Sequence, residues 1–139
     1  MKTALIKEIP QSVQKAARKV WEERGQEPIN INAICYTYGD TCYTQNSPLP
    51  KHLEVHERTH TKQQGEDPDG WWERYGDDPL FRYEQELEAY RNQYRYFKSI
   101  TTNREQVFRF AVTLAQQMAS PMYGNMCTFS NQLVNKIVN

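Results

Sequence analysis

His56-Glu57-Arg58-Thr59-His60 decides how the rest of this chain is read, because two imidazoles and one carboxylate at this spacing can hold a metal ion and activate a water. On a helix, residues four apart lie one above the other on the same face, so His56 and His60 can aim two nitrogens at a single ion. Glu57 sits about 100° further round. That offset keeps its carboxylate off the ion but beside the ion's open position, where it can take a proton from water and hand it to a leaving amine. All three histidines of the chain, His52, His56 and His60, fall in one helical column. His52 lies about 12 Å along the axis from His60, too far to share one ion. The competing reading is a solvated polar helix whose histidines face water. Arg58, Thr59 and Lys62 are polar, so the helix is expected to be only half buried.

Composition narrows the rest. At 139 residues the chain is expected to form one domain, residues 1 to 139, with a single core. Seventeen Lys and Arg balance seventeen Asp and Glu, which leaves no basic field to gather nucleic acid or anionic lipid. The opening residues, Met1 to Glu8, lack the apolar run of a signal peptide, and no stretch is long and apolar enough to span a membrane. A cytoplasmic protein is expected. Cys35, Cys42 and Cys127 are odd in number and lack CxxC spacing, which favours free thiols over a disulfide framework or a cysteine-zinc site. Nine tyrosines and 12% aromatics indicate a packed globule rather than a disordered segment.

Outward from the motif, Leu5, Ile6 and Ile9 form a short opening segment before Pro10. Val13, Ala16, Ala17, Val20 and Trp21 repeat at i, i+3, i+4, i+7 and i+8, the stripe of an amphipathic helix that Gly25 is placed to end. After Pro28 the period changes to two. Ile29, Ile31, Ala33 and Cys35 alternate, and the run Ile34 to Thr44, broken only by Gly39-Asp40, predicts an antiparallel hairpin. Prolines 48 and 50 launch the motif helix, expected from about Pro50 to Gln64 with Gly65 as its C-cap. Glu66 to Gly70 is expected to be a loop, and Trp71 to Tyr75 a helical turn or an aromatic flap, the competing and favoured reading being that its aromatics simply anchor the core.

From Pro79 a long helix carries Leu80, Tyr83, Leu87, Tyr90, Tyr94 and Phe97 as a buried stripe. Thr102-x-x-Glu105 matches a capping box, opening a helix with Val107, Ala111, Leu114, Ala115 and Met118 that is expected to be the central one. Met122 to Asn125 forms a turn, and Thr128 or Ser130 caps a last helix with Leu133, Ile137 and Val138.

Two histidines leave a catalytic zinc one protein ligand short, so the third must be a carboxylate. On the helix from Pro79, Glu86 lies about 70° from the middle of the apolar stripe and Glu84 about 90° on its other side, with Glu88 further out. Glu86 is the best placed of the three. Glu84 and Glu66 remain alternatives, as does a run of glutamates that merely solvates a helix face.

His56-Glu57-x-x-His60 followed by Glu86-x-x-Ala89 on a separate helix resembles the gluzincin arrangement of small bacterial and phage-encoded metallopeptidase-like domains. Gln63-Gln64, the tryptophan-rich stretch and Ser120 to Asn125 look similar as well. The metzincin pattern fails, because its Gly and third His would fall at Gln63 and Glu66. What the resemblance implies is an α+β, minimal zincin-like domain, mostly helical, with a small antiparallel sheet before the motif helix whose edge strand takes an extended peptide. It implies a zinc peptidase in which His56, His60 and Glu86 bind Zn2+, Glu57 is general base and acid, and peptide or protein is the substrate. Tyr123 is the expected oxyanion donor. In the thermolysin-like branch an Asp follows the ligand Glu by four residues. Here Tyr90 stands there, so the histidine tautomers must be fixed by other groups. The rival expectation is an inactive binding or structural protein of phage or mobile-element origin that keeps the fold without turnover.

Overall fold

The computed structural model describes residues 1–25, 27, 34–45 and 48–139. It is mostly helical with one small sheet, an α+β architecture. Strands β1 (Lys2–Ala4), β2 (Tyr36–Tyr38) and β3 (Thr41–Tyr43) precede most of six helices: α1 (Gln11–Glu22), α2 (Lys51–Gln64), α3 (Pro68–Asp77), α4 (Pro79–Ile100), α5 (Arg104–Met118) and α6 (Asn131–Val138). Among the described residues no helix is long and apolar enough to cross a membrane.

The hairpin forms as the sequence predicts. β2 and β3 pair antiparallel with Thr37 opposite Cys42, and Gly39 at φ 61° supplies the left-handed residue that a two-residue turn with glycine first requires. The sheet is nevertheless mixed. β1 adds to β3 in parallel, giving the order β1-β3-β2. The opening segment read as Leu5 to Ile9 is instead a strand over residues 2–4 followed by a single 3-10 turn, Ile6–Glu8. Three residues carry no periodic signal, so the strand was invisible to pattern. Ile29, Ile31 and Ala33 of the expected alternating run lie outside the described residues.

Two apolar clusters flank the motif helix. The first joins Val13, Ala16, Ala17 and Val20 of α1 to Ile34, Tyr36, Trp71, Trp72 and Tyr75. Here α1 packs so closely on α3 that a Cβ on Gly76 would sit 3.0 Å from the Ala16 Cα. The stretch Glu66 to Gly70 is only partly a loop: Asp67 caps α3 by accepting from the Gly70 amide, and Pro68 takes the first helical position, the preferred places for these residues. The tryptophans anchor the core as expected.

The second cluster gathers Tyr90 and Tyr94 of α4, Ala111, Leu114, Ala115 and Met118 of α5, and Leu133, Val134 and Ile137 of α6. The central helix is α4, not α5, since α4 packs against α2, α3, α5 and α6. Leu80, expected in its buried stripe, is exposed in the first turn of α4. Asn103 rather than Thr102 caps α5, accepting from the Gln106 amide at 3.0 Å. The chain offers two adjacent capping patterns, and the asparagine is the stronger cap. Ser130 caps α6.

One guanidinium ties the two clusters together. Arg82 of α4, 0% exposed, donates to both oxygens of Glu23 beyond α1, to the carbonyls of Tyr75 and Gly76 at the end of α3, and to the carbonyl of Tyr123. A charge this deep is tolerated because every donor finds an acceptor.

Candidate metal centre

Helix α2 has few apolar residues and is buried through two polar stripes. His56, His60 and Gln63 stand at i, i+4 and i+7. Glu57, Thr61 and Gln64 stand at the same intervals one residue later, about 100° round. The first stripe faces α4 and the second faces the hairpin. His56, Glu57, Thr59, His60 and Gln64 are buried, while Arg58 and Lys62 are exposed, which is the half burial the sequence implies.

On the α4 side, His56 Nε2 lies 3.2 Å from His60 Nε2, 3.3 Å from Glu86 Oε2, and His60 Nε2 lies 3.0 Å from Glu86 Oε1. Among the described residues, these three form a group whose ligand atoms come close enough together to hold a metal ion. Glu86 is 2% exposed, whereas Glu84, Glu88 and Glu66 are exposed and none joins the group. His52 stands apart from it, as its axial distance requires.

The donor set fits a cation on its own chemistry. Glu86 Oε2 is buried and makes no well-formed hydrogen bond, its near neighbour being His56 Nε2 at 3.3 Å, so a buried carboxylate oxygen is left that a cation would satisfy. Donors about 2.0 Å from a tetrahedral zinc would stand about 3.3 Å apart, close to the separations found. Without an ion the cluster is held by charge. Burial pulls the His60 pKa down, but the Glu86 carboxylate overrides it and raises it to about 9. Burial would raise the Glu86 carboxyl, yet His60 and His56 together hold it well below the usual range.

Each histidine is oriented through Nδ1 by a glutamine. His56 Nδ1 lies 3.0 Å from Gln93 Oε1 and His60 Nδ1 lies 2.8 Å from Gln63 Oε1. Gln63 spends its amide hydrogens on the Gln85 carbonyl and the Glu88 carboxylate, so its oxygen must face His60. Neutral amides thus do the work for which a carboxylate is the commoner choice. Tyr90, in the place of that carboxylate, packs its ring edge-on to His56 with centroids 4.5 Å apart.

On the hairpin side, the Thr37 hydroxyl donates to Glu57 Oε2 at 2.6 Å, Thr61 donates to the Gly39 carbonyl, and Gln64 joins the Gly39 amide to the Thr37 carbonyl. Trp72 Nε1 also donates to that carbonyl. β2 is an edge strand, but its Thr37 acceptor is already taken and offers nothing to an added peptide strand.

Glu57, His56, His60 and Glu86 open onto one cavity of about 280 Å3, which Trp21, Phe110 and Met122 line with apolar surface. Tyr123 lines it too, with its hydroxyl 2.7 Å from that of Tyr90. Burial, and then the Glu86 charge, push the Tyr123 hydroxyl well above its usual pKa, so it stays neutral and able to donate. Tyr75 donates to Glu86 Oε1 at 3.1 Å.

The sequence reading missed Thr37, Gln93 and Tyr75. Gln93 was within reach of periodicity, lying two turns beyond Glu86 on the same face of α4. Thr37 was not, because its partner is 20 residues away across a turn.

A scan of the chain against protein-family models finds no match, and searches of curated proteins and of solved structures find none either.

Proposed function

We propose that this chain is a zinc-dependent peptidase of zincin-like fold, acting on peptide or protein amide bonds in a reducing, cytoplasmic setting where Cys35, Cys42 and Cys127 stay free. The observation that carries this reading is the convergence of His56 Nε2, His60 Nε2 and the Glu86 carboxylate at 3.0 to 3.3 Å on the wall of a cavity that also contains Glu57. His56, His60 and Glu86 would hold the ion. Zinc bound there supplies a Lewis acid that polarises a carbonyl and makes a water more acidic.

The remaining chemistry belongs to the chain. Glu57, held through Oε2 by Thr37, keeps its other oxygen to accept the water's proton and pass it to the departing amine. Tyr123, neutral and on the cavity wall, donates to the oxygen on which charge develops, and Tyr90 holds its hydroxyl in place. The apolar walls suit an apolar side chain next to the scissile bond.

The test is elemental analysis of protein purified without added metal, followed by hydrolysis of fluorescein-labelled casein. Zinc near one per chain with casein cleavage is expected. Zinc without cleavage would leave the rival expectation, a binding protein that keeps the site without turnover. No zinc even after loading would remove the metal centre itself.

A further inference from the structure

His52 is too far from His60 to ligate the same ion, yet it is wired to the ligand His56. Its ring sits edge-on to Phe110 with centroids 5.2 Å apart, and its Nδ1 lies 2.9 Å from Gln93 Nε2. The other end of the same amide, Gln93 Oε1, lies 3.0 Å from His56 Nδ1. A primary amide has one accepting end and one donating end. Placed between two Nδ1 atoms, it satisfies one that bears a proton and one that does not, never two alike. Gln93 is 2% exposed, so bulk water is not at hand to relieve a mismatch.

We infer that Gln93 couples the tautomers of His52 and His56 in opposite senses, so that the form of His56 able to bind a metal through Nε2 is the form in which His52 carries its proton on Nε2. The inference rests on His56 being a ligand, as proposed above.

The two settings of the amide show why. With Oε1 toward His56, the Nδ1–H of His56 donates to it and Nε2 keeps a lone pair facing His60 and Glu86. Gln93 Nε2 then donates to His52 Nδ1, and the His52 proton sits on Nε2. With the amide turned over, Gln93 donates to His56 Nδ1, the proton of neutral His56 moves to Nε2, and the lone pair an ion needs is gone. His52 then holds Nδ1–H. A cation at the cluster selects the first setting and so fixes the tautomer of a histidine that does not touch it. Gln63 has no such freedom. Its amide hydrogens face two pure acceptors, the Gln85 carbonyl and the Glu88 carboxylate, so the His60 side is locked while the His56 side has two settings. His52 lines the same cavity, so the coupling reaches the surface a ligand would touch. Gln93 is thus a positioning residue acting through His56.

The experiment labels the full chain with 15N-histidine and reads ring-nitrogen shifts at about pH 8, above the ordinary histidine range, with and without equimolar zinc. Zinc should leave His56 with a protonated Nδ1 and His52 with a bare Nδ1 and a protonated Nε2. Gln93→Glu offers two acceptors and no donor, so His52 should switch to its Nδ1–H form while zinc still binds. Gln93→Leu should free the His52 tautomer from zinc occupancy and weaken zinc binding by about 10–100-fold. Should Gln93→Leu not fold, the near-isosteric Gln93→Glu decides alone. A zinc-loaded parent with Nδ1–H on His52, or a His52 tautomer unmoved in Gln93→Glu, overturns the inference. If zinc perturbs neither His56 nor His60, the metal reading falls separately. The relay is then judged in the zinc-free parent, where Nδ1 protonated on both His52 and His56, or on neither, overturns it.

Discussion

The two stripes of α2 are one residue apart in sequence and are built in different ways. The stripe of His56, His60 and Gln63 meets α4 through Glu86, Gln93 and the Gln85 carbonyl, helix against helix. The stripe of Glu57, Thr61 and Gln64 meets the hairpin largely through backbone atoms of Thr37 and Gly39. The placement of the proposed ligands therefore follows from the packing of two long helices, and that of the proposed base from a short turn. The first depends on periodicity over many residues. The second depends on one glycine and one threonine. On the proposed reading, metal binding and proton transfer are thereby separated, so that each should be open to damage without the other.

The sharpest way to break that separation is Glu57→Gln, which keeps shape but cannot accept a proton. Casein hydrolysis should fall by about 10^2–10^4-fold with zinc content unchanged, and full activity in that variant would refute the role of Glu57. Glu86→Ala attacks the other stripe. Zinc affinity, measured by chelator competition, should drop by more than the roughly 100-fold typical of losing an outer-shell partner, and retention of zinc would show that the ligand set is wrong.

Next comes pH. In the metal-free protein the His60 pKa is raised to about 9, so its contribution is complete below about 6.5 and is lost as pH rises through 9. It is on the order of 3 kcal/mol, because the group is fully buried. The melting temperature of metal-free protein should fall across that window, and zinc should bind more tightly as pH rises through it, since the ion must displace a proton. A flat melting profile would refute the charged pair.

Thr37→Val should leave zinc in place, destabilise the fold by about 1–3 kcal/mol through the orphaned Glu57 oxygen, and slow hydrolysis by about 10–100-fold. Equal zinc loss in that variant would mean the two stripes are not independent. Glu84→Ala, on the exposed side of α4, should change stability by less than about 0.5 kcal/mol and leave zinc binding untouched.

What could be read from the sequence follows the same divide. The motif helix, its Gly65 cap, α1, α4 and the hairpin were all legible, because each repeats a period or carries turn chemistry. Helical angle favoured Glu86 over Glu84, whereas Glu66, which lies off that helix, is set apart only by its exposure in the fold. β1 was too short for a period. The helix at Pro68 hid behind Asp67-Pro68, which reads equally as a turn. The exposure of Leu80 was illegible for another reason: a stripe says which face is apolar, not how far the neighbouring helices extend to cover it. The contacts of Thr37 and Arg82 are long-range polar bonds, and no local pattern encodes such partners.

Arg82 bears on how the molecule assembles. Of the helices packed on α4, α3 and α5 are its neighbours in sequence, but this guanidinium closes a loop of 59 residues back to Glu23 and one of 41 residues forward to the Tyr123 carbonyl. Loop-closure entropy makes such contacts slow to form relative to local ones. Glu86 lies one helical turn further along α4, and Tyr123 hangs from the clamp by its own carbonyl. The cavity therefore gains Tyr123 only when the late part of the chain has reached this clamp, and a nascent chain stopped before residue 123 would present the histidines with that part of their pocket wall missing.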